Sequence, residues 1–166
     1  MERRRTVPTP PEERLAAALS GGGGPLALAE SCTGGLIAHR ITEVAGSSAY
    51  FDRCLVVYSN QAKRDLLGVS DALLREHGAV SKECARAMLR GLFEGTPAAL
   101  AAAVTGIAGP SGGNPEKPVG TIWIAWGSRK HDTAECLLLS GNRSEVKRAA
   151  AQAVLERLAE LAEGSR

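Results

Sequence analysis

Apolar and polar positions follow two rhythms along this chain, and the places where the rhythm changes mark out its elements. A helical spacing covers Pro11–Leu19, breaks at the four glycines 21–24, and gives way to a short apolar run ending at Leu28 that reads as a strand. A helix is expected over 33–44. Gly46, Ser47 and Ser48 form a turn, and residues 54–58 are β-branched enough for a second strand. Asn60–Leu67 reads as a helix stopped by Gly68, and Asp71–His77 as another. Ser81 caps the next, which runs to about Phe93 and puts Ala85, Met88, Leu89 and Leu92 on one buried face.

Farther on, the apolar residues 98–104 predict a buried strand. Residues 119–126 and 133–139 predict two more, joined by a polar turn over 128–132 as an antiparallel hairpin. The last helix starts at Asn142, where Asn142 and Glu145 have capping-box spacing, and buries Val146, Ala150, Val154, Leu158 and Leu161. Helices separate the early strands and a turn joins the late ones, so the fold class is α/β. The expected architecture is a three-layer α/β/α sandwich around a mixed sheet, in a single domain over 11–163 after a flexible leader, 1–10.

The chain has 166 residues, 44% of them hydrophobic, which suits one domain with a sizeable core. A formal net charge of +2 and an aromatic content of 4% offer neither an electrostatic track nor stacking platforms, so no direct nucleic-acid partner is expected. Arg3, Arg4 and Arg5 precede prolines rather than an apolar core, and no apolar run approaches the length of a membrane span; no membrane partner is expected either. Cys32, Cys54, Cys84 and Cys136 show no C-x-x-C spacing, which argues for reduced thiols, a cytoplasmic location and no metal site.

Two segments stand out chemically. In the first, Glu30, Ser31, Cys32, Thr33, Gly34 and Gly35 follow an apolar strand and open a helical pattern. That places Ser31 among the unpaired N–H groups at the positive end of a helix, a setting that favours an oxyanion or phosphate. Ser31 or Thr33 could equally be a simple helix cap, and Cys32 either a second nucleophile or a small buried residue. In the second, TGIAGPSGGNPEKPVG over 105–120, half of the sixteen residues are glycine or proline. A loop of this kind forms either a ligand wall or a rigid connection, and it matches neither the phosphate-loop nor the dinucleotide fingerprint.

A serine nucleophile needs a base, and the histidines are badly placed. His39 lies about 12 Å farther along the Ser31 helix, and His77 and His131 fall at a helix end and in a hairpin turn. Lysine is scarce, five against fifteen arginines, which singles out Lys63. A desolvated Lys63 could accept the Ser31 proton; an exposed helical lysine is the competing reading. Tyr58 is either a core aromatic or a site hydroxyl. Arg143 sits in the first turn of the last helix, where a cation opposes the macrodipole unless an anion compensates it.

The stretches AESCTGG, AGSSAYF, VVYSNQAKRDLLGV, EHGAVSKECA, VTGIAGPSGG and EKPVGTIWIAW, in this order, resemble the CinA C-terminal domain family over about residues 10–162. The pattern is that of a stand-alone member. The resemblance implies an amidohydrolase that converts nicotinamide mononucleotide to nicotinate mononucleotide and ammonia, with no cofactor and no metal. It makes Ser31 and Lys63 the catalytic pair, with Tyr58 orienting the lysine or the carboxamide. Backbone N–H groups of Cys32, Thr33 and Gly34 would hold the oxyanion, Thr105 and Gly106 would line the opposite wall, and Arg143 or the adjacent helix end would hold the phosphate. The expected partners are the mononucleotide and further copies of the chain in a homo-oligomer. The competing functions are a catalytically weak nucleotide-binding or protein-interaction module, and a serine hydrolase for another small amide. Asn142, Gln61 and the pair Arg53–Cys54 depart from the aspartate, glutamate and Gly-Gly usual in the family.

Overall fold

The computed structural model describes residues 8–164. Its strands are β1 (Leu26–Glu30), β2 (Phe51–Val56), β3 (Leu100–Gly106), β4 (Thr121–Ser128) and β5 (Asp132–Leu138), hydrogen-bonded in the order β2-β1-β3-β4-β5. β1 pairs in parallel with β2 and β3, whereas β3–β4 and β4–β5 are antiparallel, so the sheet is mixed. The helices are α1 (Pro11–Leu19), α2 (Leu36–Glu43), α3 (Asn60–Leu67), α4 (Asp71–His77), α5 (Lys82–Gly95) and α6 (Arg143–Gly164).

Strand alternation divides the core into two layers. Leu26, Leu28, Leu100, Ala102, Val104, Ile122 and Ile124 point to one side and meet Leu15 of α1, Ile37 and Ile41 of α2, and Val146, Val154 and Leu158 of α6. The opposite face is built almost wholly of alanine: Ala27, Ala29, Ala101, Ala103 and Ala125 pack beside Leu67 of α3, Leu74 of α4, and Ala85, Met88, Leu89 and Leu92 of α5. Small side chains on this face let α5 approach the sheet closely, and α3 in turn presses against α5. The result is the expected α/β/α sandwich.

Helices α1, α3 and α4 keep the expected limits. Ser59, Ser70 and Ser81 cap α3, α4 and α5 by accepting from Ala62, Leu73 and Cys84 N–H, and Gly68 ends α3 in a left-handed conformation. The capping box at α6 is formed as the spacing predicts, with Asn142 N–H donating to Glu145 and Glu145 N–H donating to Asn142 Oδ1. Leu161 is half-buried rather than core.

Elsewhere the boundaries move. Residues 31–35 form a turn and α2 starts three residues later than expected, because Gly34 and Gly35 take positive φ (64° and 96°) and interrupt the helical path. Strand β2 starts earlier, at Phe51, since it follows β1 from Leu26 onward. Strand β3 begins later and continues through Gly106, and β4 begins at Thr121; their pairing carries both beyond the apolar run that signalled them. The expected leader falls mostly on residues 1–7, outside the described residues; Pro8, Thr9 and Pro10 are exposed.

Gly91 of α5 is buried against α3, where a Cβ would collide with the Leu67 carbonyl group. Gly91→Ala is therefore expected to destabilise the fold by about 1–3 kcal/mol, despite the better helix propensity of alanine, and to lower the urea midpoint.

Candidate active site

In the order β2-β1-β3, the chain leaves β1 toward β2 on one side and leaves β3 toward β4 on the other. This is a topological switch point, where the carboxyl ends of neighbouring strands open a crevice. Ser31 follows β1 directly and its N–H donates to Val104 O at 3.0 Å; Thr105 and Gly106 close β3 beside it. A cleft of about 200 Å³ lies here, lined by Ser31, Cys32, Tyr58, Asn60, Lys63 and Arg143, and on the other side by Ala79, Val80, Thr105, Gly106 and Ala108.

Glu30 decides how the Ser31 turn is built. Its side chain is completely buried. One carboxyl oxygen accepts from Gly35 N–H at 2.9 Å and Ile37 N–H at 3.2 Å; the other accepts from Ala38 N–H at 2.8 Å and the Cys54 thiol at 3.5 Å. The first turn of α2 is thus capped by an internal carboxyl group. Neither Ser31 nor Thr33 caps the helix, and the helix end is not free to hold a ligand as the sequence suggested. Gly34 N–H donates to Ser31 O at 3.1 Å, which removes it from the expected oxyanion donors. Among the described residues, neither the Cys32 nor the Thr33 N–H group donates to another residue.

Lys63 is delivered to the same point by α3. It is buried, 2% exposed, and its Nζ donates to Ser31 Oγ at 3.1 Å and to Val57 O at 2.9 Å. Both partners are neutral, and no carboxyl group lines the cleft. Burial therefore pulls the Lys63 amine below the ordinary lysine value of 10.5. A neutral amine at this distance can take the Ser31 hydroxyl proton. Burial also pushes the Cys32 thiol up to about 12, so at neutral pH it is a small buried side chain and not a thiolate nucleophile.

The other expected site residues separate into two groups. Tyr58, 59% exposed, reaches Arg143 rather than Lys63: Arg143 Nη2 donates to the Tyr58 hydroxyl at 2.7 Å and Nη1 to Gly109 O at 2.7 Å. This clasp bridges β2–α3 and α6 at the cleft. Thr105 lines the wall, but its hydroxyl donates to Ala79 O at 2.8 Å and so holds the α4–α5 connection in place. Thr33 is fully buried and Gly34 is exposed beside the Lys147 amine; neither lines the cleft. His39 and His131 are exposed, and His77 faces Glu76 and Glu83, so all three histidines lie apart from Ser31. Gln61 and Asn142 also lie outside the lining, so these departures from the family pattern leave the cleft intact.

Asn60, Ala79 and Val80 were not anticipated. Asn60 stands three residues before Lys63, a spacing that shares a helix face and could have pointed to it. Ala79 and Val80 carry no chemical signal in sequence.

The CinA C-terminal domain model matches residues 9–162. The chain belongs to the CinA C-terminal domain family. CinA-like proteins from Syntrophobacter fumaroxidans and Geotalea daltonii are 52% and 56% identical over 130 and 125 residues, 78% and 75% of this chain. The chain spans only about one third of their length, 31% and 30%. Among solved structures, the competence/damage inducible protein CihA from Agrobacterium tumefaciens superposes with a TM-score of 0.88 at 42% identity, covering 94% of this chain and 98% of that one. A competence-damaged protein (CinA) superfamily member from Enterobacter cloacae gives 0.89 at 30% identity, covering 98% of both chains. Among the described residues, no helix of this family member is long and apolar enough to cross a membrane.

Two stability measurements probe the site. Glu30→Gln turns one acceptor into an NH2 that faces backbone N–H donors, and is expected to cost about 1–3 kcal/mol in urea unfolding. For Lys63, the unfolded chain holds the proton more tightly than the folded one, so stability rises with pH between the folded-state value and 10.5. Lys63→Met is expected to lose that part of the rise when urea midpoints near about pH 7 and about pH 10 are compared.

Proposed function

We propose that this chain is a nicotinamide-mononucleotide deamidase, hydrolysing the carboxamide to nicotinate mononucleotide and ammonia with Ser31 as nucleophile and Lys63 as base. What supports this most is the buried Lys63 amine 3.1 Å from the Ser31 hydroxyl, held by neutral partners that leave it free to lose its proton. Family membership adds to it. The proposed substrate also matches the charge of the cleft: it carries an amide for the serine and a phosphate for Arg143, whose guanidinium donors now end on a carbonyl and a phenol.

Neutral Lys63 takes the Ser31 proton as Ser31 Oγ bonds to the carboxamide carbon, and the carbonyl oxygen becomes an oxyanion. Of the expected donors, Cys32 N–H is the one left at the cleft to stabilise it. The Lys63 ammonium then gives its proton to the departing nitrogen, the C–N bond breaks, and ammonia leaves an ester on Ser31. Water, deprotonated by Lys63, attacks that ester; its proton returns through Lys63 to Ser31 as the acid departs. Tyr58 acts through Arg143, placing the guanidinium at the cleft rather than orienting the lysine. All four cysteines are free thiols, in keeping with a reducing, cytoplasmic setting.

The test is formation of ammonia and nicotinate mononucleotide by the wild type, Ser31→Ala and Lys63→Ala, each shown to be folded. Wild-type turnover is expected, with Ser31→Ala at background and Lys63→Ala down by about 10²–10⁴-fold. Turnover that survives Ser31→Ala overturns the nucleophile assignment, and a folded wild type without product favours a binding module.

A further inference from the structure

We infer that Asn60 reads the reacting group itself: its side-chain amide accepts a hydrogen bond from the NH2 of a primary carboxamide held over Ser31. The inference rests on the deamidase reading above and adds a residue that selects amides over related acyl compounds.

Asn60 is the first residue of α3 and lines the cleft together with Lys63. Three residues apart on a helix, the two share a face with Cβ atoms about 5–6 Å from each other. Lys63 reaches inward to Ser31, while Asn60 stays exposed toward the mouth. The neighbouring amide of Gln61 is fully engaged, its nitrogen donating to Asp65 at 2.6 Å and its oxygen accepting from Arg64 at 2.5 Å. The Asn60 amide has no such partner among the described residues. It is not required as the helix cap, because Ser59 Oγ already takes Ala62 N–H at 3.0 Å. An amide without a structural task, adjacent to a nucleophile and its base, is available to substrate.

Its chemistry also fits the place. The attacking Ser31 and the Cys32 N–H account for the carbon and oxygen of a carboxamide, but Ser31, Lys63 and Cys32 offer no fixed acceptor to the substrate NH2. Lys63 must be neutral to act as base and then becomes a donor. Asn60 Oδ1 supplies an acceptor from the lysine's own helix, holding the nitrogen where Lys63 can protonate it as it leaves. An ester, with an alkoxy group in place of NH2, cannot make this contact.

The experiment compares kcat/KM for nicotinamide mononucleotide and for its methyl-ester counterpart, in the wild type, Asn60→Ala and Asn60→Leu, with ammonia and the acid product as readouts. Asn60→Leu keeps much of the side-chain volume and removes the acceptor. Both variants are expected to lose about tenfold on the amide and less than about twofold on the ester. A purely structural role would lower both substrates equally, and equal loss, or no loss on the amide, overturns the inference while leaving the hydrolase reading in place. A folded wild type that turns over neither substrate overturns that reading, and the role of Asn60 with it.

Discussion

The site depends on a carboxyl group buried at the end of β1. A carboxyl side chain removed from water is costly unless hydrogen bonds replace its hydration, and Glu30 finds three backbone N–H donors and a thiol. Those donors exist only because the chain turns back on itself through Gly34 and Gly35, whose left-handed backbone swings the start of α2 over the Glu30 side chain. Glu30 and the two glycines therefore specify one another. Between them, Ser31, Cys32 and Thr33 have little freedom, and the position of the Ser31 hydroxyl is fixed by a structural demand that precedes any chemistry.

The same residue connects to Lys63. Glu30 O accepts Val57 N–H at 2.8 Å as the parallel ladder extends past β2, and Val57 O in turn accepts from Lys63 Nζ. The distance between Ser31 and Lys63 is thus set through main-chain hydrogen bonds rather than by two side chains meeting across a flexible gap. Val57 is itself fully buried, which keeps water from competing for its carbonyl. Burial does two things to Lys63 at once: it orders the amine and makes its charged form unfavourable. A carboxyl partner would have favoured the charged form instead.

Much of the fold was legible because local signals agreed with tertiary demands. Ser81 before α5, Gly68 after α3, and the Asn142–Glu145 pair each satisfy helix-end groups that any environment would leave exposed. Ser31 and Lys63 were legible through the family resemblance and through the shortage of lysine. The function of Glu30 was not, since a glutamate after an apolar run reads as the place where a strand meets water; only the path of Gly34 and Gly35 makes it internal. Nor could the sequence join Tyr58 to Arg143 across 85 positions, and so it directed the phenol to the lysine or the carboxamide.

The charge of the cleft follows from these placements. Two basic side chains, Lys63 and Arg143, line it and no acidic one does. Burial disfavours the charge on Lys63. Arg143 stands in the first turn of α6, where the helix dipole opposes a cation by about 0.3–1 kcal/mol, and its two bonded neighbours are uncharged oxygens. Arg14, Arg40, Arg53, Arg64, Arg86 and Arg157 have carboxylate partners, whereas Arg143, like Arg129, ends on uncharged oxygens, and of the two only Arg143 lines the cleft. The Gly109 carbonyl and the Tyr58 hydroxyl fix the direction of the guanidinium without neutralising it. That arrangement favours an anionic group on whatever enters, and an anion anchored at the mouth leaves the uncharged end of the same molecule to meet Ser31.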